Sequence, residues 1–513
     1  MKMHSKLFLL AALTAVGLGS CGTTPSSSDK TGDSDSGAPA KKAEVVWWVP
    51  CGTDLENNKI YQYITDVADA YNASQESVHV SIVSKGSRNN DYGGTASAVS
   101  DALTAGNTPS MVTTYGTYVA AWRKAAPKAV VDVTEYGKTL EADADFNQSY
   151  LVAEKQQYDG NSYYSLPYSK SGESLQYNKE VFAAVGAVAA GNAIKNGYPA
   201  PTSIASKKAY SVPTSFPEMM ELARQMKVDY PSIEWGRGAD KHYKAVPVIY
   251  ESTMNLFVTA LESAGIPFMD ASKPLAQSVP FIDSPEAKAV VTQLKKWSNE
   301  GLIATKNQLA MDGNYTKYPS TVVSEGNSFI MITSTANAAW DAIPGYSVGF
   351  DRVPKWTDSS AFRTLSQGPS IAFFNHNNQA EIDGALDFYK FLTSKENTAK
   401  LALDTAYFPC RQSSLEVAEV AQTIQDSNEG VTADSTNEKK TSAYIGDVLK
   451  LNTSISEKSE YFMSPVNELS AKVRTAVSGI MDAIFNDVDK TTDAEIASLV
   501  DTAFANAKTT IFQ

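Results

Sequence analysis

Hydrophobic positions near the start of the folded region fall on two different periods. Glu44–Val49 (EVVWWV) is a short apolar, β-prone run ended by Pro50 and Gly52, and it predicts a buried strand. Ile60, Ile64, Val67, Ala68 and Tyr71 then recur at helical spacing, predicting a helix over 60–71, and Val78–Val83 predicts a second strand. Strand, helix and strand in such quick succession imply a parallel βαβ unit and an α/β sheet. Met111–Thr114 predicts another strand and Val130–Val133 a weaker one.

Two later helices carry start signals. A capping box at Ser215–Glu218 precedes Met219, Leu222, Ala223 and Met226, and the same pattern at Asp283–Glu286 precedes Ala287, Val290, Val291, Leu294 and Trp297. Gly301 marks the end of the second helix. Both apolar stripes are the kind that pack on a sheet. Leu469–Phe485 and Asp493–Ala507 predict two more helices. The small-residue stretch 186–213 and the polar stretch 426–442 read as surface insertions, and no internal repeat is present.

Before the first strand the pattern changes completely. Lys2 and Lys6 precede an apolar stretch, Leu7–Leu18, of about a dozen residues, too short for a span of about 20 but suited to a signal peptide over 1–20. Leu18-Gly19-Ser20-Cys21 resembles the bacterial lipobox, which implies that the Cys21 thiol is lipidated and becomes the mature N-terminus; the alternative is an ordinary secretory signal with an incidental cysteine. Residues 21–43 are then a polar tether that cannot bury enough apolar surface to order itself, reaching roughly 70 Å at full extension. Each buried methylene of an acyl chain adds about 0.8 kcal/mol of membrane affinity. The membrane is thus expected to hold the protein only through this anchor, on the extracytoplasmic face.

Composition narrows the chemistry. The 513 residues are 43% hydrophobic, enough for a large core, and 57 acidic against 44 basic side chains give a net charge of −13. Nucleic acid, which needs clustered Lys and Arg, is an unsuitable partner. Four scattered histidines and three cysteines give a zinc site little material, so neither metal nor cofactor is expected. The chain lacks G-x-S-x-G, H-E-x-x-H, the P-loop pattern and C-x-x-C. No catalytic residue is therefore assigned. Abundant Trp and Tyr could offer flat faces to sugars or simply fill cores.

Several stretches, in chain order, carry a resemblance. Tyr158-Asp159-Gly160-Asn161-Ser162-Tyr163-Tyr164-Ser165-Leu166-Pro167-Tyr168 is followed by Leu175–Phe182 (LQYNKEVF). Pro213–Met219 (PTSFPEM), Glu325–Ile332 (EGNSFIMI), Ala385–Ser394, Tyr407–Arg411 (YFPCR) and Val473–Val477 (VRTAV) follow. Together behind a lipobox they resemble the extracellular solute-binding proteins of carbohydrate ABC importers, the family of the maltose- and glycerol-3-phosphate-binding proteins. The resemblance implies an α/β, two-lobed periplasmic-binding-protein-like fold with a ligand cleft between lobes joined by a multi-crossing hinge. It places an N-terminal lobe at 44–166 plus 364–403 and a C-terminal lobe at 167–363 plus 404–513. It further implies a monomer that captures a carbohydrate or related polyol, closes on it, and delivers it to the ABC permease.

The same resemblance marks ligand-binding positions: Tyr115, Ser171 with Lys170 beside it, Ser334, Trp340, Gly368, Tyr407 and Arg411, the last with a structural ion pair as its alternative role. Asn255, on a helix, is a further candidate, and of Trp47 and Trp48 one is expected in the core and one near the cleft. Two departures bear on the ligand. Gly116 stands where glycerol-phosphate binders carry Glu, and Ser470-Ala471 stand where maltose binders carry a stacking Trp-Tyr, so neither glycerol 3-phosphate nor maltodextrin is favoured. Cys51 and Cys410, placed on opposite lobes, are expected as two separate buried thiols rather than a disulfide that would lock closure. Rival readings are a surface lipoprotein glycosidase, which needs two carboxylates about 5 to 10 Å apart across the cleft, and a non-transporting sugar sensor or adhesion module.

Overall fold

The computed structural model describes residues 42–53, 58–87, 90–188, 209–313, 315–343 and 345–513. The signal segment 1–20, Cys21, nearly all of the tether and most of the 186–213 stretch lie outside the described residues. Residues from Lys42 to Gln513 form one compact unit built on two five-stranded sheets.

The first sheet grows from the βαβ unit. Strand Ala43–Val49 pairs in parallel with Val78–Ser84 on one side and Met111–Thr114 on the other, and helix Lys59–Ser74 makes the crossover. Ser370–Phe373 adds antiparallel to Met111–Thr114, and Leu166–Pro167 pairs beyond it. Trp47, fully buried, donates its indole proton to Thr113 Oγ1 at 2.9 Å. Trp48 is half-buried under the Lys85 ammonium, 4.0 Å from the ring centre, and does not reach the cavity between the lobes. The Val130–Val133 strand is reduced to one bridge, Val130 to Phe374, because the chain turns at Asp132 into helix Thr134–Glu141.

The second sheet places Glu173–Asn178 between Val348–Asp351 and Ile330–Ser334, both antiparallel, with Val248–Tyr250 and Ile303–Thr305 continuing in parallel. Both helices with start signals form: Phe216–Asp229 and Pro285–Asn299. Ser215 caps the first by accepting from Glu218 N, but the Glu218 carboxylate returns to Thr214, one residue earlier than a capping box requires. Gly301 has φ +67° and ends the second.

The polar 426–442 stretch is part of a helical hairpin, not an insertion: helices Ala418–Glu429 and Asn437–Glu457 pack on each other across it. Of its buried positions only Val431 is apolar, Ser427 and Lys440 being polar, which hides the pattern. Lys440 is fully buried, and its ammonium is satisfied by the Ile343 and Ala433 carbonyls at 3.0 Å each. Helices Ser470–Asn486 and Asp493–Phe512 close the second lobe. Among the described residues, no helix is long and apolar enough to cross a membrane.

Candidate functional site

Two chain crossings between the sheets lie side by side and make the cleft floor. Ser171 and Gln367 exchange backbone hydrogen bonds of 2.8 and 2.9 Å, and Gly368 approaches so closely that only a glycine, at φ +95°, fits against Ser169. Above them opens a cavity of about 540 Å³. The first lobe contributes Tyr92, Tyr115 and Gln157; the second contributes Asn255 and Phe268, and helix Ser470–Asn486 contributes Arg474.

Local structure explains these placements. Tyr115 sits at the joint between strand Met111–Thr114 and helix Gly116–Ala125, so its ring projects at the carboxyl end of a parallel strand, where α/β folds bind ligands. Asn255 lies in the first turn of helix Thr253–Ser263, which Ser252 caps. Tyr92 packs edge-on against Tyr115, ring centres 4.6 Å apart, and lines a small second pocket together with Tyr407. Burial pushes the Tyr407 phenol up to about 12 and raises Tyr115 as well, with Arg474 pulling Tyr115 the other way. Arg474 is the one charged side chain among the described residues lining this cavity, and it makes no ion pair with them.

The positions marked by sequence divide accordingly. Tyr115 and Asn255 line the cavity, and Tyr407 lies one tyrosine behind it. Ser171 and Gly368 are in the floor. Ser334 caps the short helix Thr335–Ala339 at the end of its strand. Trp340 stands outside the cavity, the residue 57% exposed and its ring 5.7 Å from the ammonium of Lys59, which begins the first lobe's helix Lys59–Ser74.

Two cations turn away from the cleft. Lys170 is fully buried, 3.2 Å from Glu154 Oε2 and 2.8 Å from Ser370 Oγ. Arg411 takes the structural role: its guanidinium binds Asp143 at 2.8 Å, Asp145 at 3.3 Å and the Thr393 carbonyl at 2.7 Å. Cys410 also departs from expectation, since it and Cys51 both pack in the core of the first lobe rather than on opposite lobes. Both are free thiols, each pushed up by burial to about 12. Alkylation of the denatured mature chain without reductant should therefore label both Cys51 and Cys410; loss of both labels would reveal a disulfide.

Sequence reasoning missed Tyr92, Gln367 and Arg474. Arg474 was within reach, being the one charged residue of the Val473–Val477 motif, and Gln367 directly precedes Gly368. Tyr92 follows a polar turn and carries no signal of its own.

Comparison with known proteins adds the following. A family model described as "Bacterial extracellular solute-binding protein" matches residues 66–428. The sn-glycerol-3-phosphate-binding periplasmic protein of Agrobacterium fabrum is 23% identical over 374 residues, 71% of this chain and 74% of that protein. Maltose-bound MalE3 of T. maritima superposes with a TM-score of 0.61 at 14% identity, covering 91% of this chain and all of that one. UgpB of Mycobacterium tuberculosis, in complex with glycerophosphocholine, gives 0.60 at 13% identity over 92% of this chain and 97% of the other. A ribitol-complexed ABC transporter solute-binding protein of Agrobacterium radiobacter gives 0.60 at 16%, covering 91% and 100%.

Proposed function

From the premise that the chain belongs to the bacterial extracellular solute-binding protein family, we propose that it is the substrate-binding subunit of an ABC importer. It captures a carbohydrate or polyol outside the membrane, held there by a lipid on Cys21. The carrying observation is the cavity between the two sheets, walled by tyrosines and amides from both lobes and floored by the paired crossings. A ligand touching both walls stabilises the closed form, which the permease recognises. No carboxylate lines the cavity among its described residues, which favours binding over glycoside hydrolysis.

Arg474, as the single charge on those walls, favours a cargo that carries a phosphate or carboxylate beside its hydroxyls. Thermal shift of the mature protein against ribitol, maltose, sn-glycerol 3-phosphate and glycerophosphocholine tests both points. A true cargo at 100 times its Kd adds about 2.7 kcal/mol of stability and is recovered unaltered. Arg474→Gln should weaken an anionic cargo by about tenfold or more and leave a neutral one nearly unchanged. A cleaved cargo would overturn the binding reading, and equal losses for anionic and neutral cargo would overturn the role of Arg474.

A further inference from the structure

The orientation of the Asn255 amide is set from behind the cavity wall. Gln367 Nε2 donates to the Gly172 carbonyl at 2.9 Å, and a carbonyl oxygen only accepts, so Gln367 Oε1 must face the other way. That oxygen receives Asn255 Nδ2 at 3.1 Å, while Glu173 Oε1 receives the same nitrogen at 2.9 Å. Both protons of Nδ2 are then in use. Asn255 Oδ1 has no partner among the described residues and is the amide atom left for the cavity.

We propose that Glu173 is a positioning residue for cargo selection: with Gln367 it locks Asn255 so that the wall presents a hydrogen-bond acceptor, and the cargo must donate a hydroxyl or amine proton there. This rests on the reading of the cavity as the cargo site. With Glu173 ionised, a reversed amide would set Oδ1 against two acceptor oxygens at once, an arrangement with no hydrogen bond and direct repulsion.

The surroundings of Glu173 leave its charge to donors alone. Its residue is 2% exposed, and Oε2 receives the Tyr250 hydroxyl at 2.6 Å. Strand Val248–Tyr250 brings Tyr250 and is followed by the like-charged Glu251, whose own cation is Lys306 at 3.6 Å. Helix Thr253–Ser263 and the hinge present neutral Asn255 and Gln367, and Ser334 stands opposite in register. On the other side, strand Val348–Asp351 sets Asp351 opposite Leu175. Among the described residues no cation contacts the carboxylate. Burial accordingly lifts it to about 7, against the opposing pull of Tyr250 and Asn255. Near neutral pH the grip on Asn255 therefore alternates between a charge-assisted bond and a weaker neutral one.

The test reads the amide itself in mature protein labelled with ¹⁵N-asparagine, the Asn255 side-chain signal being assigned by its loss in Asn255→Leu. Its two protons should exchange with water at least about tenfold more slowly than those of exposed asparagines. Their shifts should titrate with a midpoint near neutrality, and Glu173→Gln should abolish that titration. Fast exchange or a pH-invariant signal in the wild type overturns the proposal, whether or not the variant folds. In parallel, calorimetry with ribitol, maltose and glycerophosphocholine should show affinity for the cargo among them rising about tenfold with pH across neutrality, and flat in Glu173→Gln; a flat wild-type profile overturns selection by Asn255. If none of the three binds while the amide titrates as described, the lock stands and the cargo assignment of the cavity falls.

Discussion

Lys170→Met should lower the stability of the protein by about 3–5 kcal/mol, the range for removing one partner of a buried ion pair. The cost arises from what is left behind. Glu154 is fully buried, and its carboxylate is held by Lys170 at 3.2 Å, Ser370 Oγ at 2.7 Å and Ser165 Oγ at 2.5 Å. Methionine fills the volume of the lysine stem but removes the cation that pairs with Glu154. Two hydroxyls do not repay the desolvation of a full charge. The pair Lys170→Met with Glu154→Leu should recover most of the loss, because an apolar replacement of both partners leaves no orphaned charge. Urea unfolding of the two variants and the wild type measures both terms. A near-neutral Lys170→Met that loses cargo binding would return Lys170 to the ligand role its place in the sequence suggested.

Lys170 also shows where sequence reading stops. The strands, the parallel βαβ unit and the long amphipathic helices were legible because their burial follows period 2 or 3.6 and their starts carry local capping chemistry. Trp47 at the centre of the first sheet and Ala287–Trp297 on the second lobe's helix are of this kind. A polar residue in an irregular crossing has no period to betray its direction. Lys170 and Ser171 are neighbours, yet the lysine ammonium enters the core while the serine backbone pairs with Gln367. Arg411 has the same ambiguity, settled only by the long-range approach of Asp143 and Asp145, more than 260 positions earlier in the chain. Tyr115 and Asn255 were reachable because each terminates or begins a regular element at the carboxyl end of a strand. The cluster of Tyr92, Tyr115 and Tyr407 is assembled from separate segments, and no local pattern announces it. The middle of the helical hairpin, around 426–442, was hidden differently, by burying Lys440 and Ser427 beside the single apolar Val431.

The floor of the cleft yields the second large effect. Gly368→Ala should destabilise the protein by about 3 kcal/mol or more, well beyond what a left-handed backbone alone costs. A Cβ at position 368 would lie 2.0 Å from the Ser169 carbonyl oxygen and 3.0 Å from Lys170 Cα, both backbone atoms of the neighbouring crossing that no side-chain rotation can move aside. Gly160→Ala is the internal control: φ there is +78°, close to the +95° of Gly368, but a Cβ would meet nothing within 4 Å. That variant should cost only about 1–2 kcal/mol, the intrinsic penalty of the left-handed region for an L residue. The difference between the two in urea unfolding isolates the clash. Since the obstructed atoms belong to the segment that bonds Ser171 to Gln367, any Gly368→Ala protein that folds must have parted its two crossings. Its ligand-free scattering profile should then differ from that of the wild type and of Gly160→Ala. Equal stability losses in the two alanine variants, with identical scattering, would mean that the crossings slide past one another freely and that the floor is no fixed hinge.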